Sequence, residues 1–305
     1  MKINSSKKIG ILGSGFALYG YFIALKEGKF SNTIYTLSKY KKFFIKRKDL
    51  SKYYNTIFFC KNERELIKKS DYIIFARRPK DQENFINKIS VKKKTLFLEK
   101  PIASDPNKSF KLVKKLFKKN IKFKIGFLFY YLNWFKKIIK LKKKQIRIRW
   151  NFFSSDLKKN KNTWKINDKY PGGGLIAFYG IHFIFLITFF GKIKKIKSKL
   201  FYNRKKFPVK WNLTVLFVKR NYFILDISIN KKQNLFTIST DDKKTLYKST
   251  NPFGVSKYSD LRIKSLISHL KTSINLSKNY FNHINIWKTI IKVTEKRYEK
   301  NKKKM

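Results

Sequence analysis

The chain has 305 residues, 43% of them hydrophobic, and carries 74 Lys and Arg against 17 Asp and Glu, a formal charge of +57. That apolar content excludes a disordered polycation, and the length allows one large domain or two ordinary ones. The basic excess suits either a nucleic-acid or anionic-membrane binder or a drift in composition, and drift is favoured: it is 64 Lys against 10 Arg, spread along the chain, whereas a reader of phosphates would draw on the planar guanidinium fork.

The first residues place basic side chains before an apolar run, as a signal peptide does. The ordered glycines Gly13, Gly15 and Gly20, and the lack of a small-x-small cleavage site, argue against that reading. Residues 8–12 read instead as a short buried strand, followed by "GSGFALYG" and an apolar helical stretch to Glu27, with Gly28 as the stop. Strands follow at 33–37 and 55–60, then a helix over 62–70 with Asn62 as N-cap. Another buried strand covers 71–76, a helix 81–89 and a strand 94–99. Asp105 caps a helix that has Pro106 at its first position and Phe110, Val113, Leu116 and Phe117 on one face. This alternation predicts a doubly wound parallel sheet.

After "IKFKIGFLF" (121–129), the pattern changes. Segments at 145–153, 192–202, 212–218, 222–229, 235–240 and 245–250 alternate in polarity and predict a mostly antiparallel open sheet. A helix over about 174–190 interrupts them, and helices near 259–273 and 281–299 follow. The apolar run 175–191 is just short of a bilayer span; three glycines open it and His182 lies within it, so it reads as a buried helix and no membrane span is expected. The expected fold is α/β: a Rossmann domain over 1–125 and a second α/β domain over 126–305. The single cysteine, Cys60, excludes an intrachain disulfide and points to a reducing, cytoplasmic setting.

Two segments carry chemistry. In "GSGFAL", Gly13 permits a tight turn after the first strand, and Gly15 lets a pyrophosphate approach a helix N-terminus, where free N–H groups and the dipole favour an anion. Leu18 stands where the third glycine of the dinucleotide fingerprint would be, and Gly20 is a candidate to relieve helix–strand packing in its place. The second strand ends in "TLSKYKK", without the acid that would hold NAD ribose hydroxyls. Ser38 and Lys39 suit a 2′-phosphate, so NADP is preferred over NAD. In "LFLEKPIASD", Lys100 follows a buried strand and so lies at the carboxyl edge of the sheet, where such folds bind ligands. Position, not residue type, separates it from the other lysines.

The combination resembles the superfamily of glucose–fructose oxidoreductase, inositol dehydrogenase and rhizopine-catabolism proteins (Gfo/Idh/MocA). "ILGSGFALYG" is similar to its nucleotide loop, "FARRPKDQ" (75–82) to its fourth-strand motif, "LEKPIASD" to its Glu-Lys-Pro motif and "GGGLIAFYGIH" to its glycine-rich entry to the catalytic helix. The resemblance implies NAD(P)-linked oxidation or reduction of a sugar, cyclitol or nucleotide-sugar hydroxyl, and a homo-oligomer formed through the second sheet. It implies Lys100 and His182 as catalytic residues. Cofactor contacts are expected from Gly13, Ser14, Gly15, Phe16, Ser38, Lys39, Ala76, Arg77, Glu99 and Lys100, and substrate contacts from Lys100, Trp164, Lys165 and His182. No metal and no specific nucleic acid are expected. The chain departs from the family pattern at Phe178, where the catalytic helix usually has Asp, and at Phe185. In the fourth-strand motif Arg77 and Arg78 replace Thr and Pro, and Gln82 replaces His. These departures keep open a second reading, a non-catalytic dinucleotide-binding protein on the same fold.

Overall fold

A computed structural model describes residues 2–88, 93–141, 145–154, 163–219, 221–229, 233–242, 244–258, 260–273 and 276–298. The chain forms two compact units. One comprises Met1–Ser104, Lys108–Tyr131 and Val255–Leu276; the other comprises Asp105–Asn107, Leu132–Gly254 and Ser277–Met305.

The first unit is built on six parallel strands: β1 Ile9–Leu12, β2 Ile34–Leu37, β3 Phe58–Cys60, β4 Tyr72–Phe75, β5 Thr95–Leu98 and β6 Lys122–Ile125. They lie in the order β3-β2-β1-β4-β5-β6, so the direction of winding reverses between β1 and β4 and opens a crevice at the strands' carboxyl ends. Every residue of β1 is buried, as expected of a strand covered on both faces. Helix α1 begins with a π-helical segment, Ala17–Phe22, and continues as Ile23–Glu27. The short helices α2 Lys41–Lys46 and α3 Lys48–Ser51 follow β2. Helix α4, Glu63–Lys69, is capped as the sequence predicts: the Asn62 side chain accepts from the Glu65 N–H at 2.9 Å. Helices α5 Pro79–Lys88 and α6 Pro106–Lys118 complete the alternation. Within the stretch 121–129, where the sequence pattern changes, Lys122–Ile125 form β6, the last strand of this sheet. At Gly126 the ladder ends, the chain turns through successive short bonds, and Leu128–Tyr131 forms a single 3₁₀ turn.

The second unit opens with α7, Asn133–Ile139, and β7, Gln145–Phe152. Helix α8 has a π-helical entry, Leu175–Gly180, and an α-helical remainder, Ile181–Ile187. Then come β8 Ile193–Tyr202, β9 Pro208–Phe217, β10 Tyr222–Ile229, β11 Leu235–Thr240 and β12 Thr245–Ser249. The chain returns to the first unit as α9, Ile263–Lys271, and ends in the second with α10 Ser277–Val293 and β13 Thr294–Tyr298. The seven strands lie in the order β12-β11-β7-β10-β9-β8-β13. Only the β10–β7 and β13–β8 pairs are parallel. The helix expected over 281–299 therefore stops early. Thr294–Tyr298 instead pair with Ser198–Tyr202, which satisfies an edge of β8 that would otherwise be open. Among the described residues no helix is long and apolar enough to cross a membrane; Leu175–Ala177 and Ile181–Ile187 are buried in the protein core.

Candidate active site

The glycine turn sits between β1 and α1, and its two glycines are required for different reasons. Gly13 has φ +137°, and a Cβ there would lie 2.4 Å from the Ala76 carbonyl oxygen. The backbone after β4 thus touches the turn after β1, and only glycine allows it. A Cβ on Gly15 would meet nothing nearer than the Tyr19 ring at 4.0 Å. Gly15 and Ser14 are exposed, so the space in front of the first turn of α1 is open, as a phosphate-bearing cofactor requires. Gly20 does not relieve helix–strand packing as expected; its missing Cβ leaves room for the Phe16 ring, which would be 2.3 Å away. Phe16 packs on Tyr21 at 5.4 Å between centroids and under the Arg262 guanidinium at 3.9 Å. Asp260 holds Arg262 by a two-pronged ion pair at 2.6 and 2.9 Å.

Ser38 and Lys39 lie past the end of β2, and Arg77 past the end of β4. Ser38 donates its hydroxyl to the Cys60 carbonyl at 3.0 Å, tying β2 to β3. Lys39 is exposed, with its ammonium 5.7 Å from the Tyr40 ring centroid. Arg77 donates to the Tyr40 hydroxyl at 3.3 Å and pairs with Glu63 at 2.6 Å. Arg77 also lines a cleft of about 790 Å³ between α4 and α5, with Glu63, Ile67, Asp81 and Phe85. Neither Gly13 nor Lys100 lines that cleft, so its size does not make it the reactive site.

Lys100 follows β5 on the same carboxyl edge, in a turn whose Lys100–Pro101 peptide is cis. Glu99 accepts a hydrogen bond from the Tyr21 hydroxyl at 2.7 Å. Burial pushes the Glu99 carboxyl above its ordinary pKa, against the pull of the Tyr21 hydroxyl, Lys100 and Arg262. Burial, reinforced by Glu99, also raises Tyr21 well above the usual phenol range, so Tyr21 stays a donor. Gly126 accommodates the pair, since a Cβ there would lie 2.8 Å from the Tyr21 hydroxyl and 2.9 Å from Glu99 Oε1. Gln82, fully buried, bonds the backbone of this turn from α5.

In the second unit His182 lies in the first turn of the α-helical part of α8 and is 6% exposed. Phe178, one turn earlier, packs edge-on against Trp164 with centroids 4.9 Å apart. Trp164 is half-buried and Lys165 exposed. The triple glycine, open to a substrate-approach or a flexible-entry reading, is packed against its own loop. A Cβ on Gly173 would lie 2.0 Å from the Trp164 carbonyl, and one on Gly174, at φ +79°, 2.6 Å from the Asp168 Cβ. That loop is in turn tied to β8 by a hydrogen bond from the Tyr202 hydroxyl to Asp168.

Within the first unit, then, Gly13 and Ala76 touch, while Ser14, Gly15 and Phe16 belong to the same turn. Arg77 joins Tyr40 beside Ser38 and Lys39, and Glu99 and Lys100 share one strand end. Within the second, Trp164 and Phe178 share a contact, and His182 follows on the same helix. Sequence reasoning missed Tyr21, Gly126, Asp260 and Arg262, and noted Gln82 only as a departure. Their roles come from contacts between segments far apart in the chain, and no local spacing signals them.

Residues 7–127 match a family model described as an oxidoreductase family with an NAD-binding Rossmann fold, Gfo/Idh/MocA. No curated protein matches the chain. Among solved structures, GenD2 from gentamicin A biosynthesis, in complex with NAD, is 10% identical with a TM-score of 0.75, covering 96% of each chain. KijD10, a 3-ketoreductase from Actinomadura kijaniata in complex with NADP and TDP-benzene, is 12% identical with a TM-score of 0.68, covering 96% of this chain and 99% of that one. The apo scyllo-inositol dehydrogenase from Lactobacillus casei is 14% identical with a TM-score of 0.66, covering 94% and 96%. At these identities the likeness speaks for the fold.

Proposed function

We propose that the chain, whose residues 7–127 match the Gfo/Idh/MocA oxidoreductase family with its NAD-binding Rossmann fold, is an NAD(P)-dependent oxidoreductase. It transfers a hydride between nicotinamide and the hydroxyl-bearing or carbonyl carbon of a sugar, cyclitol or nucleotide-sugar. The observation that carries this reading is the placement of Lys100 after β5, on the carboxyl edge that also bears the open glycine turn. Solved relatives in fold include a ketoreductase with a TDP ligand and an inositol dehydrogenase, which supports the substrate class.

Gly13, Ser14, Gly15 and the first turn of α1 would hold the diphosphate, and Ala76, Arg77 and Glu99 would flank the riboses. Ser38, Lys39 and Arg77 favour a 2′-phosphate and hence NADP. The bound nicotinamide supplies hydride acceptance in one direction and hydride donation in the other. In the oxidation direction the substrate C–H bond breaks with its electron pair and the carbon–oxygen double bond forms. His182 takes the hydroxyl proton on its imidazole, and the Lys100 ammonium stabilises the oxygen as negative charge develops. In reduction the proton returns to the oxygen. Trp164 and Lys165 would contact substrate. The outer face of the second sheet, with Arg147, Arg149, Thr214 and Ile224 exposed or half-exposed, would pair copies of the chain into a homo-oligomer.

A second reading, a dinucleotide-binding protein without catalysis, is favoured by one observation: Phe178 fills the position of the family's helical Asp and packs on Trp164. The test is a titration of NADPH and NADH by fluorescence, followed by a screen of hexoses, cyclitols and nucleotide-sugars for absorbance change at the nicotinamide band. Binding with turnover supports the enzyme. Binding without turnover on any of these classes supports the second reading, and failure to bind either nucleotide sinks both.

A further inference from the structure

We infer that Gln82 is the positioning residue of Lys100, a role that rests on the function proposed for Lys100 above. The ladder of β5 ends at Leu98, whose carbonyl accepts from Gly126 N–H at 2.8 Å. Residues 99–102 lie past it, and their polar backbone groups need partners from elsewhere. The Gln82 carboxamide supplies them. Its Oε1 accepts the Glu99 N–H at 2.9 Å. Its Nε2 donates toward the carbonyls of Glu99 at 2.8 Å and Ile102 at 3.0 Å, with Pro101 O at 3.4 Å. Gln82 is wholly buried, so water does not compete for these bonds. The bonded groups stand on both sides of Lys100 in the chain and set the direction in which its side chain leaves the turn.

An amide suits this task. It presents an acceptor and two donors at once, whereas a neutral imidazole has one of each and a carboxylate has no donor. The short segment that bears Gln82 has a second contact that matters. At its start, the Ala76 carbonyl abuts Gly13; at its end, Gln82 grips the turn of Lys100. One stretch of seven residues, 76–82, thus links the glycine turn to the reactive lysine.

The test uses the full chain with Gln82→Met, which keeps the length and removes every hydrogen bond, Gln82→Glu, which keeps only the acceptor, and Gln82→His, which keeps one donor and one acceptor. Three quantities are read: amide hydrogen exchange at Glu99, NADPH affinity, and turnover on the substrate returned by the screen, with Lys100→Ala alongside. A reactive group displaced by about 1 Å costs roughly 10²-fold in rate. We expect both Gln82→Met and Gln82→Glu to lose about that much turnover, with NADPH affinity within about threefold of the parent; exchange at Glu99 should accelerate about tenfold or more in Gln82→Met, which loses the acceptor of its N–H, and less in Gln82→Glu, which keeps it. Gln82→His should recover part of the turnover. If Gln82→Met does not fold, Gln82→His carries the same three readouts. Exchange at the parental rate, or parental turnover in Gln82→Met while Lys100→Ala is inactive, overturns this inference alone. Parental turnover in Lys100→Ala overturns the assignment of Lys100 and this inference with it.

Discussion

The two units hold their candidate groups in different ways. In the first, backbone contacts do most of the holding: Gly13 against the Ala76 carbonyl, Gly15 before open space, and the turn of Lys100 bonded through its own N–H and C=O groups. In the second, His182 sits on a helix whose neighbourhood is a packing of rings, with Phe178 on Trp164 and on Tyr179, and Trp150 against Tyr179 and Phe183. Backbone demands leave few residue types acceptable, so they show in the sequence as glycines, proline and fixed spacing. Ring packing accepts many solutions, so a bulky side chain such as Phe178 is accommodated beside Trp164 and Tyr179 without breaking the helix.

The largest expected effect breaks the comparison on its first side. Lys100→Ala should lower turnover by about 10² to 10⁴-fold, the range for losing a positioned acid–base or charge-stabilising group. Lys100 follows β5 while the glycine turn follows β1, so NADPH affinity should fall far less than turnover; steady-state rates and a fluorescence titration measure the two. Equal losses in both would mean that the lysine serves cofactor binding, not chemistry.

The glycine turn offers the next effect. Gly13→Ala adds a methyl at 2.4 Å from a carbonyl and at a left-handed φ. Such strain costs about 1–3 kcal/mol before the clash is counted, so the variant should melt lower and bind NADPH at least tenfold more weakly. Gly15→Ala adds the same methyl where its nearest neighbour, the Tyr19 ring, lies at an unstrained 4.0 Å. Its melting temperature without cofactor should match the parent, while NADPH affinity falls about tenfold, the equivalent of about 1.4 kcal/mol for a crowded phosphate contact. A stability loss in Gly15→Ala, or unimpaired binding in either variant, would show that the turn is a structural device and not a phosphate cradle.

The same contrast governs what was legible beforehand. The first five strands of the first sheet, the Asn62 cap, the two turn glycines and the position of Lys100 are read from hydrophobic runs and punctuation, because each follows from a local rule. Gly20 was misjudged because its partner, the Phe16 ring, is a side chain four residues away and not the strand. The last helix was drawn too long because "TEKRYEK" is polar enough for a helix surface; the pairing of Thr294–Tyr298 with β8 decides it, and that is a tertiary fact. Arg262 and Asp260 reach the glycine turn from Val255–Leu276, more than 200 residues later, and no local pattern announces that return. Gln82 stood out only as an unexpected residue in a familiar motif; its bonds to 99–102 explain it after the fold is known.

The smallest effect sharpens the comparison through one buried histidine in each unit. In the first, His269 bonds the Tyr131 hydroxyl through Nδ1 at 3.3 Å, and burial, aided by the nearby Lys124 ammonium, drives its pKa well below the ordinary value. Lys124 is itself buried and donates to the carbonyls of His269 and Thr272 at the end of α9; burial brings its pKa down to about 8. In the second unit His283 is pushed down to about 3 by burial, against a hydrogen bond with the Ile181 carbonyl. Both imidazoles stay neutral in the folded chain where the unfolded chain takes up protons, at about pH 6.5. Stability is therefore unaffected by them above that pH and falls as the pH drops below it, by up to about 1.4 kcal/mol per pH unit for each histidine. For His283 the fall continues to about pH 3, where the folded state also protonates. Between pH 6.5 and 5, above the range of most carboxylates, His283 should cost about 2 kcal/mol, and His269 acts in the same direction. His283→Gln removes one of the two titrations, so urea unfolding at pH 7 and pH 5 should show about 2 kcal/mol less acid loss than the parent. An unchanged acid loss would mean that His283 is already charged in the folded protein, and that the ring-packed interior of the second unit is wetter than its burial implies.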